Sequence, residues 1–274
     1  MNEPVPVVRS FKRAPVIETV LSIQFTPISG FSIRHFGLYW SQIRHEFPRT
    51  ETKPPILHLT EDFGAGGLKQ SSPPLFDWIP EQVIRCWFLN EKRTAFLQLQ
   101  HDRLLFNWQK IDDKDEYPRY PKLRGKFLEE WLRFSSFIES ERLGKLAVDQ
   151  CEVTYVNHIP YGEGWSSYNE LDKVIPLWSG RTSGDFLKAP EKVGINVQYV
   201  MPENKGRLYV SLQPVITTKD GKEVLQLNLT ARGAPASSST ADVFQWLDFG
   251  REWVVKGFTD FITTEMHKLW GREL

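Results

Sequence analysis

Six histidines and two cysteines are the first groups in this 274-residue chain from which a reactive centre could be assembled. The histidines are His35, His45, His58, His101, His158 and His267, and no His-Glu-x-x-His or Cys-x-x-Cys spacing occurs among them and the cysteines. A metal needs ligands clustered within a few ångströms, and His35 and His45, ten residues apart on one predicted helix, lie too far apart to share an ion. The stretch Gly64-Ala65-Gly66-Gly67 lacks the Lys-Ser/Thr that lets a phosphate loop grip its nucleotide, and there is no Gly-x-Ser-x-Gly elbow. Neither a metal nor a cofactor is expected. Cys86 and Cys151 sit in apolar, strand-like runs, which suits buried free thiols of a reducing compartment better than nucleophiles. The acids between Asp112 and Glu116 read as a solvated turn tip.

The elements that must position any site follow from periodicity. Val16 to Phe25 alternates with a period of two, and Ile33, Phe36, Tyr39, Trp40 and Ile43 fall at helical spacing before Pro48. A short strand is predicted within Lys53–Thr60, and the Gly-, Pro- and Ser-rich residues 61–80 read as a long loop. Three strands joined by tight turns follow (83–89, 94–100, 104–109), then an amphipathic helix carrying Leu123, Phe127, Trp131, Phe134 and Ile138. After a long strand to Pro160, Tyr168–Trp178 reads as a short helix or two turns. Three more strands follow, and one helix from about residue 241 to 269, with Val243, Leu247, Val254 and Phe258 on its stripe, closes the chain. The order strand, helix, meander, long helix thus occurs twice without sequence identity. The expected fold is α+β, two pattern-related halves (1–143 and 144–274), each an antiparallel sheet with helices on one face, or both joined in one globular unit.

The strands carry the clearest functional signal. Their polar side reads Ser22, Gln24, Gln98, Gln100, Asn107, Arg207, Tyr209, Gln213, Gln226 and Asn228, mostly amides and hydroxyls where a freely solvated face would carry Lys and Glu. Such a face is a simple solvated surface, a face covered by the other half of the same chain or by a second subunit, or a groove for a ligand or peptide. Asn157 and His158, on opposite sides of the long strand, and Arg119 and Tyr120, at the corner before the first long helix, complete the candidate binding residues.

The segments Ala14-Pro15-Val16-Ile17-Glu18, Asn107-Trp108, Tyr117-Pro118-Arg119-Tyr120, Tyr155-Val156-Asn157 and the final helix resemble a sporadically distributed family of bacterial proteins of this size with no established biochemical activity. Residues 61–80 and 161–192 carry none of the resemblance. Patchy occurrence implies an accessory role such as defence, conflict or toxin neutralisation, and the resemblance supplies no active site.

With 34 basic and 34 acidic residues the chain has no formal net charge, which disfavours binding to duplex nucleic acid, where a basic excess is usual. The N-terminus has no secretory pattern and no window approaches the ~20 apolar residues of a membrane span, so a cytoplasmic protein is expected. The leading expectation is a non-enzymatic binding protein whose partner is another protein or a small ligand, with self-association supported by its aromatic-rich helices. The alternative is a metal-independent enzyme acting on nucleotides or RNA, with His101, His158 or Tyr120 as acid or base and Arg119, Arg207 or Arg232 on phosphate. Single-strand binding through sheet aromatics is a third reading, opposed by the glutamine-rich face and zero charge.

Overall fold

A computed structural model describes residues 11–64, 67–70, 84–180, 184 and 186–272. Its frame is a nine-stranded antiparallel sheet in the order β2-β5-β6-β7-β1-β8-β11-β10-β9. The strands are β1 (Val16–Phe25), β2 (Arg49–Lys53), β5 (Arg85–Leu89), β6 (Ala95–Gln100), β7 (Arg103–Gln109), β8 (Val148–Pro160), β9 (Ile195–Val200), β10 (Arg207–Ile216) and β11 (Glu223–Gly233), and a separate hairpin is formed by β3 (Leu59–Asp62) and β4 (Gly67–Gln70). The fold is α+β, as the periodicity implied. β1 and β8 form the central seam: β1 pairs with β7, the last strand of the first meander, and β8 with β11, the last strand of the second. The two meanders therefore belong to one continuous sheet instead of closing as separate ones.

The period-two pattern sends Leu21, Ile23, Phe25, Leu104, Phe106, Trp108, Cys151, Val153, Leu227 and Leu229 to one face, where all are buried. Helices α1 (Ile33–Ile43), α2 (Tyr120–Ser140) and α3 (Thr240–Phe261) cover that face. Phe127 of α2 stands between Phe106 and Phe244, with ring centroids 6.4 and 5.8 Å away. Close approach of α3 to the sheet needs small residues, since a Cβ on Gly257 would lie 2.5 Å from Leu208 Cδ2.

Three sequence expectations need correction. Residues 61–80 are not wholly loop: β3 begins before them and β4 lies inside them, while 65–66 and 71–83 lie outside the described residues. The closing helix is two, α3 and α4 (Thr264–Leu269), because Ile262 is extended and Thr263 caps a new helix with its hydroxyl on Met266 N while its own N–H donates to Val174 O. Strand β2 was not foreseen. The segment Tyr168–Lys173 is a short 3-10 helix.

Candidate functional site

The face of the sheet opposite the helices is partly occupied by the chain itself. Residues 56–63 run across the strands as a strap, held by the side chains that the alternation marked as polar. Gln100 clasps both the N–H and the C=O of Ile56 at 2.9 Å. Arg103 donates to Leu57 O at 2.8 Å, Gln24 to Leu59 O at 3.0 Å, and Gln150 both donates to Leu59 O and accepts from Glu61 N. At the far end Glu61 forms a buried ion pair with Arg207 (2.5 Å) and accepts from the Tyr209 hydroxyl at 2.8 Å. His58 sits between Asp102 (Nδ1 to Oδ2, 2.8 Å) and Asp149 (Nε2 to Oδ2, 3.4 Å), and these hydrogen bonds push its pKa up to about 9. A histidine that is a cation at neutral pH is a clasp and not a base. Thus Gln24, Gln100, Arg207 and Tyr209 serve an internal cover: for this end of the face, the covered-face reading is the one that applies.

Gln98 and Asn107 have a different fate. A hydrogen-bonded chain runs from Arg85 to Gln98 Oε1 (2.9 Å), from Gln98 to Asn107 Oδ1 (2.7 Å), and from Asn107 to Glu18 Oε1 (2.6 Å). It consumes both amides and joins a guanidinium to a carboxylate whose pKa burial raises. Gln213, Gln226, Asn228 and His158 lie on the same face toward its other end. There His158 Nε2 is 3.2 Å from Gln226 Oε1, burial lowers the imidazole pKa, and the buried Asn228 Oδ1 has no partner.

Arg119, Tyr120 and Asn157 meet elsewhere, on the helix-bearing side. Four segments that are remote in sequence converge there on a cleft enclosing about 650 Å³ including the solvent at its mouth. Its walls are Phe11, Ala14, Pro15 and Val16 from the approach to β1, Pro121, and Val254, Val255 and Phe258 from α3. Its polar groups are Tyr117, Arg119, Tyr120, Tyr155, Asn157 and Arg251. Backbone bonds fix the rim: His158 N donates to Pro15 O, and Lys12 N and Arg13 N donate to Gly271 O and Trp270 O.

The donors that face this cleft are the Arg119 and Arg251 guanidiniums and one hydroxyl of the Tyr117–Tyr155 pair, while Tyr120 gives its O–H to Asp248 and Asn157 an amide N–H to Leu227 O. The Tyr117 and Tyr155 hydroxyls lie 2.7 Å apart, so one donates to the other and one O–H remains to be given away. Burial raises the pKa of Tyr117, Tyr120 and Tyr155, keeping all three phenols protonated. Tyr120 donates to Asp248 Oδ1 at 2.7 Å, and Arg124 grips the same carboxylate at 2.6 and 2.9 Å, which neutralises the nearest acid. Among the described residues neither Arg119 nor Arg251 pairs with a carboxylate: Arg119 reaches Phe11 O at 3.5 Å, Arg251 reaches the Tyr155 hydroxyl, and the lining holds no carboxylate. Arg251 lies over the Tyr120 ring at 5.3 Å, with its buried Nε unpartnered. Arg119 has φ +67° and ψ 150°, a conformation that a non-glycine residue adopts only at a cost and that clusters at ligand clamps.

Of the motif residues, Ala14, Pro15, Val16, Tyr117, Arg119, Tyr120, Tyr155 and Asn157 line the cleft, whereas Glu18 and Asn107 lie on the other face of the sheet. Arg251, which sequence reasoning missed, interrupts the α3 stripe between Leu247 and Val254; a charge at that step was the available signal. The clasp of His58, Asp102, Asp149 and Glu61 left none, because it involves residues before and within a short, irregularly approached hairpin. Comparison of the chain with protein-family models, with curated proteins and with solved structures finds no match.

Proposed function

We propose that the chain is a binding protein whose ligand is a small organic anion with an apolar or aromatic body, received in the cleft between β1, β8, α3 and the Tyr117–Pro121 corner. The observation that carries this reading is two arginines without carboxylate partners beside phenols held protonated, on apolar walls. An acceptor-rich anionic head would satisfy the guanidinium donors, while Phe11, Val254 and Phe258 would shed water onto its body. The ligand site thus moves from the polar sheet face to the opposite side of the sheet.

Binding without turnover suits the lining, which has no histidine or carboxylate to take a proton. Of the acid-base candidates of the nucleotide-processing alternative, His101 and His158 lie outside it, and Tyr120 lines it with its O–H given to Asp248. The accessory bacterial role that the resemblance implies, and a cytoplasmic setting in keeping with free Cys86 and Cys151, remain part of this proposal. Among the described residues no helix is long and apolar enough to cross a membrane.

The test is calorimetric titration of wild type, Arg251→Ala and Asp220→Ala with phenylacetate, phenylacetamide and inorganic phosphate. Phenylacetate is expected to bind, its neutral amide at least about tenfold more weakly, and loss of Arg251 to cost about 10–100-fold, as for a charge-assisted hydrogen bond. Asp220, in an exposed turn, is the indifferent control. Equal binding of acid and amide, no effect of Arg251→Ala, or no binding of phenylacetate up to about 10 mM would overturn the reading.

A further inference from the structure

The two edges of the nine-stranded sheet are built differently. The β2 edge reads Arg49-Thr50-Glu51-Thr52-Lys53, and its charges are tied down: Arg49 to Glu91, Glu51 to Lys53 and Arg93, with Lys53 over the Trp87 ring. Charge along an edge strand is the usual protection against pairing with another chain. The β9 edge reads Ile195-Asn196-Val197-Gln198-Tyr199-Val200, six residues with no charge, no proline and no bulge against β10. Asn196, Gln198, Tyr199 and Val200 are exposed, and among the described residues no backbone hydrogen bond reaches the outer side of β9. A row of unpaired N–H and C=O groups on an apolar and amide strand is a template for one more strand.

We propose that the outer edge of β9 pairs with the same edge of a second copy of this chain, antiparallel about a two-fold axis through Val197.

The side-chain pattern is what selects a second copy as the occupant. Opposed residues of an antiparallel pair share a face. In β9 the register with β10 puts Ile195, Val197 and Tyr199 on the helix-bearing side, opposite Leu212, Val210 and Leu208, and Asn196 and Gln198 on the other. A two-fold axis at Val197 sets Ile195 against Tyr199 of the second copy and Val197 against itself, so the apolar side meets only apolar residues. On the other side Asn196 meets Gln198, and two amides can exchange hydrogen bonds. Every pair is matched by the strand's own sequence, as an isologous contact requires. A chain with no formal net charge adds no long-range repulsion between copies. The pairing joins two sheets edge to edge and leaves the ligand cleft, beside β1 and β8 at the centre of each sheet, untouched.

The test is mass in solution, by sedimentation and light scattering, of wild type, Asn196→Lys/Gln198→Lys and Asn196→Glu/Gln198→Glu. Both side chains are exposed, so the variants keep the fold, which circular dichroism and melting verify. Wild type is expected at twice the 31.9 kDa chain mass. Each double variant places two like-charge pairs across the axis and is expected to weaken dimerisation at least about tenfold. An equimolar mixture of the two restores the dimer through Lys–Glu pairs. A wild-type monomer at about 100 µM, a dimer that both variants leave intact, or a mixture that stays monomeric would overturn the proposal.

Discussion

Replacing His58 by Gln removes the cation at the centre of the strap clasp and should make stability respond differently to pH. In the fold the ring bonds to Asp102 and Asp149, with Arg103 and His101 the other ionisable groups at that end of the sheet. Its pKa rises from an ordinary value of about 6.5 to about 9. That difference corresponds to about 3 kcal/mol at the limit of full burial. Water reaches 15% of the side chain and screens the pair, so we take about 1–2 kcal/mol. A histidine whose folded pKa exceeds its unfolded one adds stability that is complete below pH ~6.5 and is lost as the pH rises through ~9. Asp102, whose pKa is lowered by His58 and Arg103 against the cost of its burial, works the other way: its share is lost only as the pH falls through its depressed value. The assay is urea unfolding of wild type and His58→Gln at about pH 6, 7.5 and 9.5. The gap between them should be about 1–2 kcal/mol at the lowest pH and close to zero at the highest. A gap that does not change with pH, or that widens as pH rises, would refute the clasp.

Glu61→Ala removes the carboxylate that bonds Arg207 and Tyr209; we expect a loss of about 1.5–3 kcal/mol, as for hydrogen bonds to a charged group, and faster amide exchange across Leu59–Asp62, read by hydrogen exchange and urea melts. Phe127→Ala, between Phe106 and Phe244, should cost about 3–5 kcal/mol in the same melts. Arg119→Gly should raise stability by about 1 kcal/mol by relieving the φ +67° backbone, yet weaken phenylacetate binding; a variant that is both less stable and equally tight would contradict the assigned clamp.

The sheet was legible in the sequence because its strands alternate: Leu21, Ile23 and Phe25 against Ser22 and Gln24 leave little freedom in which face turns inward. Trp108 and Asn107 likewise landed on the faces their alternation predicts. The break between α3 and α4 was not legible, because the apolar stripe continues through Ile262 and Met266 while the cap that ends it depends on a contact with Val174, far away in sequence. The strap was hidden for a related reason. Alternation marks Gln24 and Gln100 as polar, but which partner they meet is decided by a segment whose own pattern is weak. At the cleft Arg119, Tyr120 and Asn157 were visible singly. Their meeting with Arg251 is a consequence of the β1–β8 seam and the α2–α3 contact through Tyr120, Arg124 and Asp248, which no local pattern encodes.

The central claim, an anion site at Arg251, is tested most directly by the arginine Nε–H resonances in a nitrogen–proton correlation spectrum, with the Arg251 signal assigned by its loss in Arg251→Lys. Its Nε is buried and unpartnered, so a bound carboxylate should shift that signal saturably as phenylacetate is added, with phenylacetamide leaving it in place at the same concentration. An Arg251 signal that phenylacetate does not move, or that acid and amide move alike, would contradict the account.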